Sequence, residues 1–167
     1  MNEDKERQNR FAADIMLGKL VKWLRVLGFD ARTMLLANRA VIESLLCGGA
    51  IPVTRREKFR DIEGVVFIRS DHHFEQLMEL ISLVSISREE VRLFSRCILC
   101  NAGLDPIARE AVSGAVPDYV FETASDFRKC PECGRVYWPG SHRRRMIEQL
   151  ESLTGWGLKE GEKGGAE

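Results

Sequence analysis

The chain has 167 residues and a mass of 19.0 kDa, the size of one domain or of one domain with a small appendage. Apolar residues make up 44% and charged residues 30%, enough for a buried core. Twenty-five basic residues balance twenty-five acidic ones, so no global field selects nucleic acid or a membrane surface, and a local patch must hold any such partner.

No apolar run reaches the ~20 residues of a membrane span, and the opening MNEDKERQNR is charged where a signal peptide would be apolar. The expectation is a cytoplasmic protein with no membrane partner. In that compartment disulfides are rare, so the five cysteines point to metal or chemistry.

Residues 1–10 carry six charges and nothing to bury, and are expected to form a disordered tail. Arg10 to Asp14 reads as a short strand. Leu17, Leu20, Val21, Leu24 and Leu27 then recur at helical spacing, with Lys19, Lys22 and Arg25 on another face and Gly28 as the stop. A second strand is expected over Phe29 to Thr33, and a second helix over Arg39 to Leu46 ahead of Gly48-Gly49. Ala50 to Thr54 and the β-branched Gly64 to Ser70 read as third and fourth strands, and Phe74 to Leu83 as a further helix. This alternation predicts an α/β sandwich with a parallel sheet over residues 11–88. Residues 89–146 change character, being dominated by paired cysteines and turn residues. Residues 147–167 are expected as a helix end and a tail that is disordered from Gly155, with five glycines in its last thirteen residues.

The strongest pattern is Cys97-x-x-Cys100, a spacer of twenty-nine residues, then Cys130-x-x-Cys133. Each C-x₂-C pair lets two thiolates converge on one side of a tight turn. Two such pairs suit a tetrahedral site of four sulfurs, the arrangement structural Zn²⁺ prefers. A redox dithiol, buried unliganded thiols and an iron–sulfur cluster are the alternatives the spacing leaves open. The long spacer must carry structure of its own, and Val116 to Glu122 is the expected strand within it. Cys47 reads as a packed small hydrophobe, and His142 as a spare beside four cysteines.

Asp14 falls where the first strand hands over to the first helix, the edge at which parallel sheets bind ligands. It can hold Mg²⁺ there or cap the helix, and both readings stand. Asp30 falls at the start of the second strand and reads as having a role in a turn, and Asp71-His72-His73 reads as a loop or helix cap rather than a phosphoesterase motif. Two basic clusters stand out in a neutral chain: Arg55 to Arg60, and Arg143, Arg144 and Arg145 after the aromatic Tyr137 and Trp138. Basic residues interleaved with aromatics suit an RNA backbone and its bases. Lys22, Arg25, Tyr137, Trp138 and the three arginines are therefore the candidate RNA-binding residues, expected to share one face.

The run from Phe11 through Asp14, Leu17-Gly18-Lys19-Leu20, Trp23-Leu24-Arg25 and Leu27-Gly28-Phe29-Asp30 resembles the opening signature of the Mut-seven C-terminal ribonuclease domain family. Cys97-x-x-Cys100-Asn101 and Cys130-Pro131-x-Cys133-Gly134-x-Val136-Tyr137-Trp138-Pro139-Gly140-Ser141-His142 resemble its closing signature. The resemblance implies a PIN-like nuclease fold followed by a zinc ribbon, acting on RNA with Mg²⁺ or Mn²⁺, with Asp14 as the first metal-binding acid. Where the family reads Thr-Arg-Asp after the third strand, this chain has Thr54-Arg55-Arg56, and the acid expected near the second helix is replaced around Asn38-Arg39. Arg56 is expected to pair with Asp14. Glu43 and Glu57 are the nearby acids left to act with Asp14 in metal-assisted cleavage. The alternative is a non-catalytic RNA- or protein-binding module that keeps the fold and the ribbon.

Overall fold

The structure is a computed structural model that describes residues 10–158. Of the tail expected over residues 1–10 only Arg10 is described, and the far end of the glycine-rich tail also lies outside the described residues. The chain falls into two compact units that part between Leu104 and Asp105.

The first unit is α/β. Its strands are β1 (Arg10–Asp14), β2 (Asp30–Met34), β3 (Ile51–Thr54) and β4 (Val66–Phe67). They form one parallel sheet in the order β2-β1-β3-β4. The helices are α1 (Gly18–Val26), α2 (Arg39–Cys47) and α3 (His73–Val84). The central strand β1 is buried from Phe11 to Asp14. Along α1, Leu20, Val21 and Leu24 are buried, the stripe its spacing predicts.

Gly28 ends that run at φ +96°, and a Cβ there would lie 2.2 Å from the Arg92 carbonyl oxygen. The close approach is used, because the amides of Arg92 and Phe94 donate to the carbonyls of Leu27 and Val26 at 2.8 and 2.9 Å. Only glycine allows both the turn and the contact.

Two expectations are corrected in this unit. The strand predicted over Gly64 to Ser70 pairs only at Val66–Phe67, with one further bond from the Ile68 amide to the Thr54 carbonyl at 2.8 Å. The ladder ends because the amides of Arg69 and Ser70 turn to the Glu79 carboxylate instead. Cys47, expected as a packed residue, is exposed. Ile42 is buried with Leu36 and Phe59, and Leu45 and Leu46 pack against them, so Cys47 in the last turn falls outside the buried stripe.

The second unit holds a three-stranded antiparallel sheet of β5 (Asp105–Ile107), β6 (Phe127–Lys129) and β7 (Val136–Tyr137), with helices α4 (Asp118–Thr123) and α5 (Ser141–Thr154). The strand expected over Val116 to Glu122 is helix. Pro117 stands as its N-cap with Asp118 in the first turn. Val116, Val120 and Ala124, four residues apart, then face a cluster with Val112 and Phe127. Residues 155–158, expected as the start of a disordered tail, are held: the Leu158 amide donates to Glu151 at 2.8 Å, and the Leu158 side chain is buried.

Candidate functional site

Asp14 ends β1 and is completely buried. One carboxylate oxygen accepts from the Ile15 amide at 2.9 Å, which caps the short 3₁₀ turn that follows, and from Arg56 Nη2 at 3.5 Å. The other accepts from the Thr54 hydroxyl at 3.1 Å and from Arg56 Nε at 2.6 Å. The neighbouring ends of β1 and β3 bring these groups together, and the Thr54 hydroxyl also accepts the Arg56 amide at 3.1 Å. A carboxylate offers about four lone-pair sites, and all are engaged by protein donors. The arrangement does not fit a Mg²⁺ or Mn²⁺ ion at Asp14, because a cation there would have to displace the guanidinium.

The two other candidate acids have partners of their own. Glu43 is exposed and accepts from Arg39 at 2.7 Å across one helical turn of α2. Glu57 is exposed and pairs with Arg60 at 3.4 Å. Among the described residues, the group of three or more potential ligands that converges is the set of cysteines.

The Sγ atoms of Cys97, Cys100, Cys130 and Cys133 all lie within 4.8 Å of one another. Four soft donors this close can hold a metal ion, and their number and type fit tetrahedral Zn²⁺. The two turns share one local geometry. The Asn101 amide donates to the Cys97 carbonyl at 2.9 Å, and the Gly134 amide to the Cys130 carbonyl at 3.0 Å. Each of these residues is left-handed, with φ 68° and 72°. In the first turn, the Cys100 amide also donates to Cys97 Sγ at 3.3 Å.

Asn101 does more than close the turn. Its side-chain oxygen accepts the Ala31 amide of β2 at 3.1 Å, and its nitrogen donates to Asp30 at 2.6 Å. Asp30 is the first residue of β2, at the start of the second strand as expected, and in place of a turn role it accepts from Asn101, with Arg10 and Arg32 at 3.9 and 3.7 Å. Sequence reading passed over Asn101 as a functional position. The available signal was its place after Cys100, where a left-handed residue is needed and asparagine is tolerated.

Arg25 is folded onto backbone. It donates to the Ala31 carbonyl and to the carbonyls of Ile98 and Leu99, each at 2.8 Å. Burial lowers its pKa from the ordinary value, while negative charge on Cys97, Asp30 and Cys100 acts the other way. Lys22 is exposed on α1. In the second unit, Arg144 and Arg145 are exposed in the first turns of α5 and Arg143 is half-buried. Tyr137 lies in β7, and Trp138 packs against the Val112–Phe127 cluster. His72 is the N-cap of α3, its Nδ1 accepting the Phe74 amide at 3.4 Å, as a helix cap should.

The chain thus has a parallel α/β unit, a second unit with an antiparallel sheet, and four cysteines that could hold a metal ion. Residues 9–150 match the Mut7-C RNAse domain, so the chain belongs to that family. No curated protein and no solved structure matches the chain. Among the described residues, no helix is long and apolar enough to cross a membrane.

Proposed function

We propose that this protein is an RNA-binding member of the ribonuclease family that does not cleave through Asp14, and that Zn²⁺ occupies the four-cysteine site as a structural ion. Membership of an RNase domain family supports RNA as the partner. The observation that carries the non-catalytic reading is the closed set of donors around Asp14, with Arg56 Nε at 2.6 Å. Metal-assisted phosphodiester cleavage needs carboxylate oxygens open to a cation. Here Asp14 holds an arginine, Glu43 holds Arg39 and Glu57 holds Arg60. In this reading the α/β domain spans residues 11–88 and the zinc ribbon residues 89–146.

The test is a paired assay on single-stranded and structured RNA. The full-length protein is expected to retain RNA in a binding assay and to leave it uncut with Mg²⁺ or Mn²⁺. Metal-dependent cleavage that Asp14→Asn abolishes would overturn the non-catalytic reading in favour of a nuclease. Absence of RNA binding would overturn the RNA partner.

A further inference from the structure

A cleft of about 640 Å³ opens in the first unit between the start of α1 and the start of α3. Its wall combines Lys19, Lys22, His72 and His73 with apolar Met16 and Leu99. Met16 and Leu99 are each 51% exposed, high for side chains of this kind. Asp14 is not part of this wall.

The charges in the cleft do not cancel. Asp71 is the one carboxylate in its lining, and it is paired with Arg55. Gln76 donates to the carbonyls of Ser70 and Asp71. Arg25, also in the lining, is engaged by the carbonyls of Ala31, Ile98 and Leu99. Lys19 and Lys22 are exposed on α1. His72 Nδ1 accepts the Phe74 amide at 3.4 Å.

We propose that this cleft binds single-stranded RNA, with Lys19, Lys22 and His73 around a phosphate and Met16, Leu99 and the His72 ring against the adjoining base. The inference rests on the RNA reading above and locates it. Cationic side chains beside an open apolar surface match a ligand that presents a phosphate and an unstacked base together, which an unpaired strand does and a duplex does not.

Binding should be linked to protons at His73. Its pKa is lowered by burial, by His72 and by Lys19. The charged or titratable groups that line the cleft with it are Lys19, Lys22 and Arg25 from α1, and His72 and the Arg55-paired Asp71 from the loop before α3. A phosphate placed among them favours the imidazolium, so complex formation takes up a proton and is tighter at pH 6 than at pH 8.

The experiment follows the histidine C–H resonances of the full-length protein by NMR during titration with single-stranded oligouridylate and, separately, with inorganic phosphate. The RNA is expected to move His73 and raise its pKa. Lys22→Gln should weaken RNA binding about tenfold and flatten the slope of log K against log salt by about 0.7, and His73→Gln should remove the preference for pH 6. RNA binding that leaves His73 unmoved and is unchanged in both variants overturns the cleft while the RNA reading stands. A shift of His73 with inorganic phosphate but no binding of RNA overturns the RNA reading and, with it, the ligand assigned here.

Discussion

Arg56 Nε lies 2.6 Å from Asp14 Oδ2, and the carboxylate it meets is completely buried. The pair joins the end of β1 to the second residue after Thr54 of β3. A buried carboxylate stripped of its charged donor keeps its desolvation cost and loses its compensation.

Arg56→Ala is therefore expected to destabilise the fold by about 1.5–3 kcal/mol, the range for a hydrogen bond to a charged group. Asp14→Asn should cost a comparable amount, and the double variant less than the two together. Denaturant melts of the four proteins measure this. Additive losses would show that the two side chains are not energetically coupled.

Arg56→Asp places a second carboxylate beside Asp14. Two like charges in a buried space repel, so this variant should melt well below the parent in the absence of metal. Mn²⁺ should restore much of the loss, because a cation that binds only the folded form stabilises it by mass action. A melting temperature that does not respond to Mn²⁺ would show that removing the guanidinium does not open a cation site.

The cysteine site gives a prediction with an internal control. One Zn²⁺ per chain is expected by elemental analysis. Cys97→Ser or Cys133→Ser should reduce the metal content and lower the melting temperature sharply, since structural zinc couples its binding energy to folding. Cys47, exposed at the end of α2, lies outside the cluster. Cys47→Ser should leave zinc untouched and shift stability by no more than about 0.5 kcal/mol. Full zinc content in the Cys97 or Cys133 variants would refute the assignment.

Asn101 separates two contributions. Asn101→Gly keeps the left-handed turn at φ 68° but removes the bonds to Ala31 and Asp30. Asn101→Ala removes the bonds and adds a left-handed penalty of about 1–2 kcal/mol. The expected order of stability is parent, then Gly, then Ala. A glycine variant as stable as the parent would show that the tie to β2 contributes nothing.

Glu79 is expected to make stability depend on acid pH. Burial alone would raise its pKa, but bonds from the amides of Arg69 and Ser70 and from the Ser70 hydroxyl outweigh burial and hold it below the usual carboxylate range. A group whose folded pKa is depressed contributes stability above its unfolded pKa of about 4.3 and loses it as pH falls through the folded value. Glu79→Gln should be less stable than the parent at pH 7, and the gap should close in strong acid. A gap that is constant with pH would assign the loss to packing rather than to charge.

Much of this molecule is legible in its sequence because the relevant physics is local. The periodicity of Leu20, Val21 and Leu24 gives α1 and its buried face, and β1 spans the predicted residues. The two C-x₂-C pairs announce a set of four cysteines able to hold a metal because the spacing itself brings two thiolates to one turn. The substitution at Arg56 foretells its contact with Asp14, since adjacent parallel strands deliver their ends to one edge. Tertiary structure decided the rest, because those features depend on what arrives from elsewhere in the chain. Glu79, ten residues beyond Arg69, ends the fourth strand by taking its amides. The stripe of Val116, Val120 and Ala124 becomes helix because it finds Val112 and Phe127 to bury against. Arg25, written as a surface cation beside Lys22, turns to the carbonyls of Ile98 and Leu99, more than seventy residues away in sequence. Periodicity records which face of an element is apolar. Which distant carbonyl, amide or carboxylate a polar side chain will meet is settled only when the chain closes on itself.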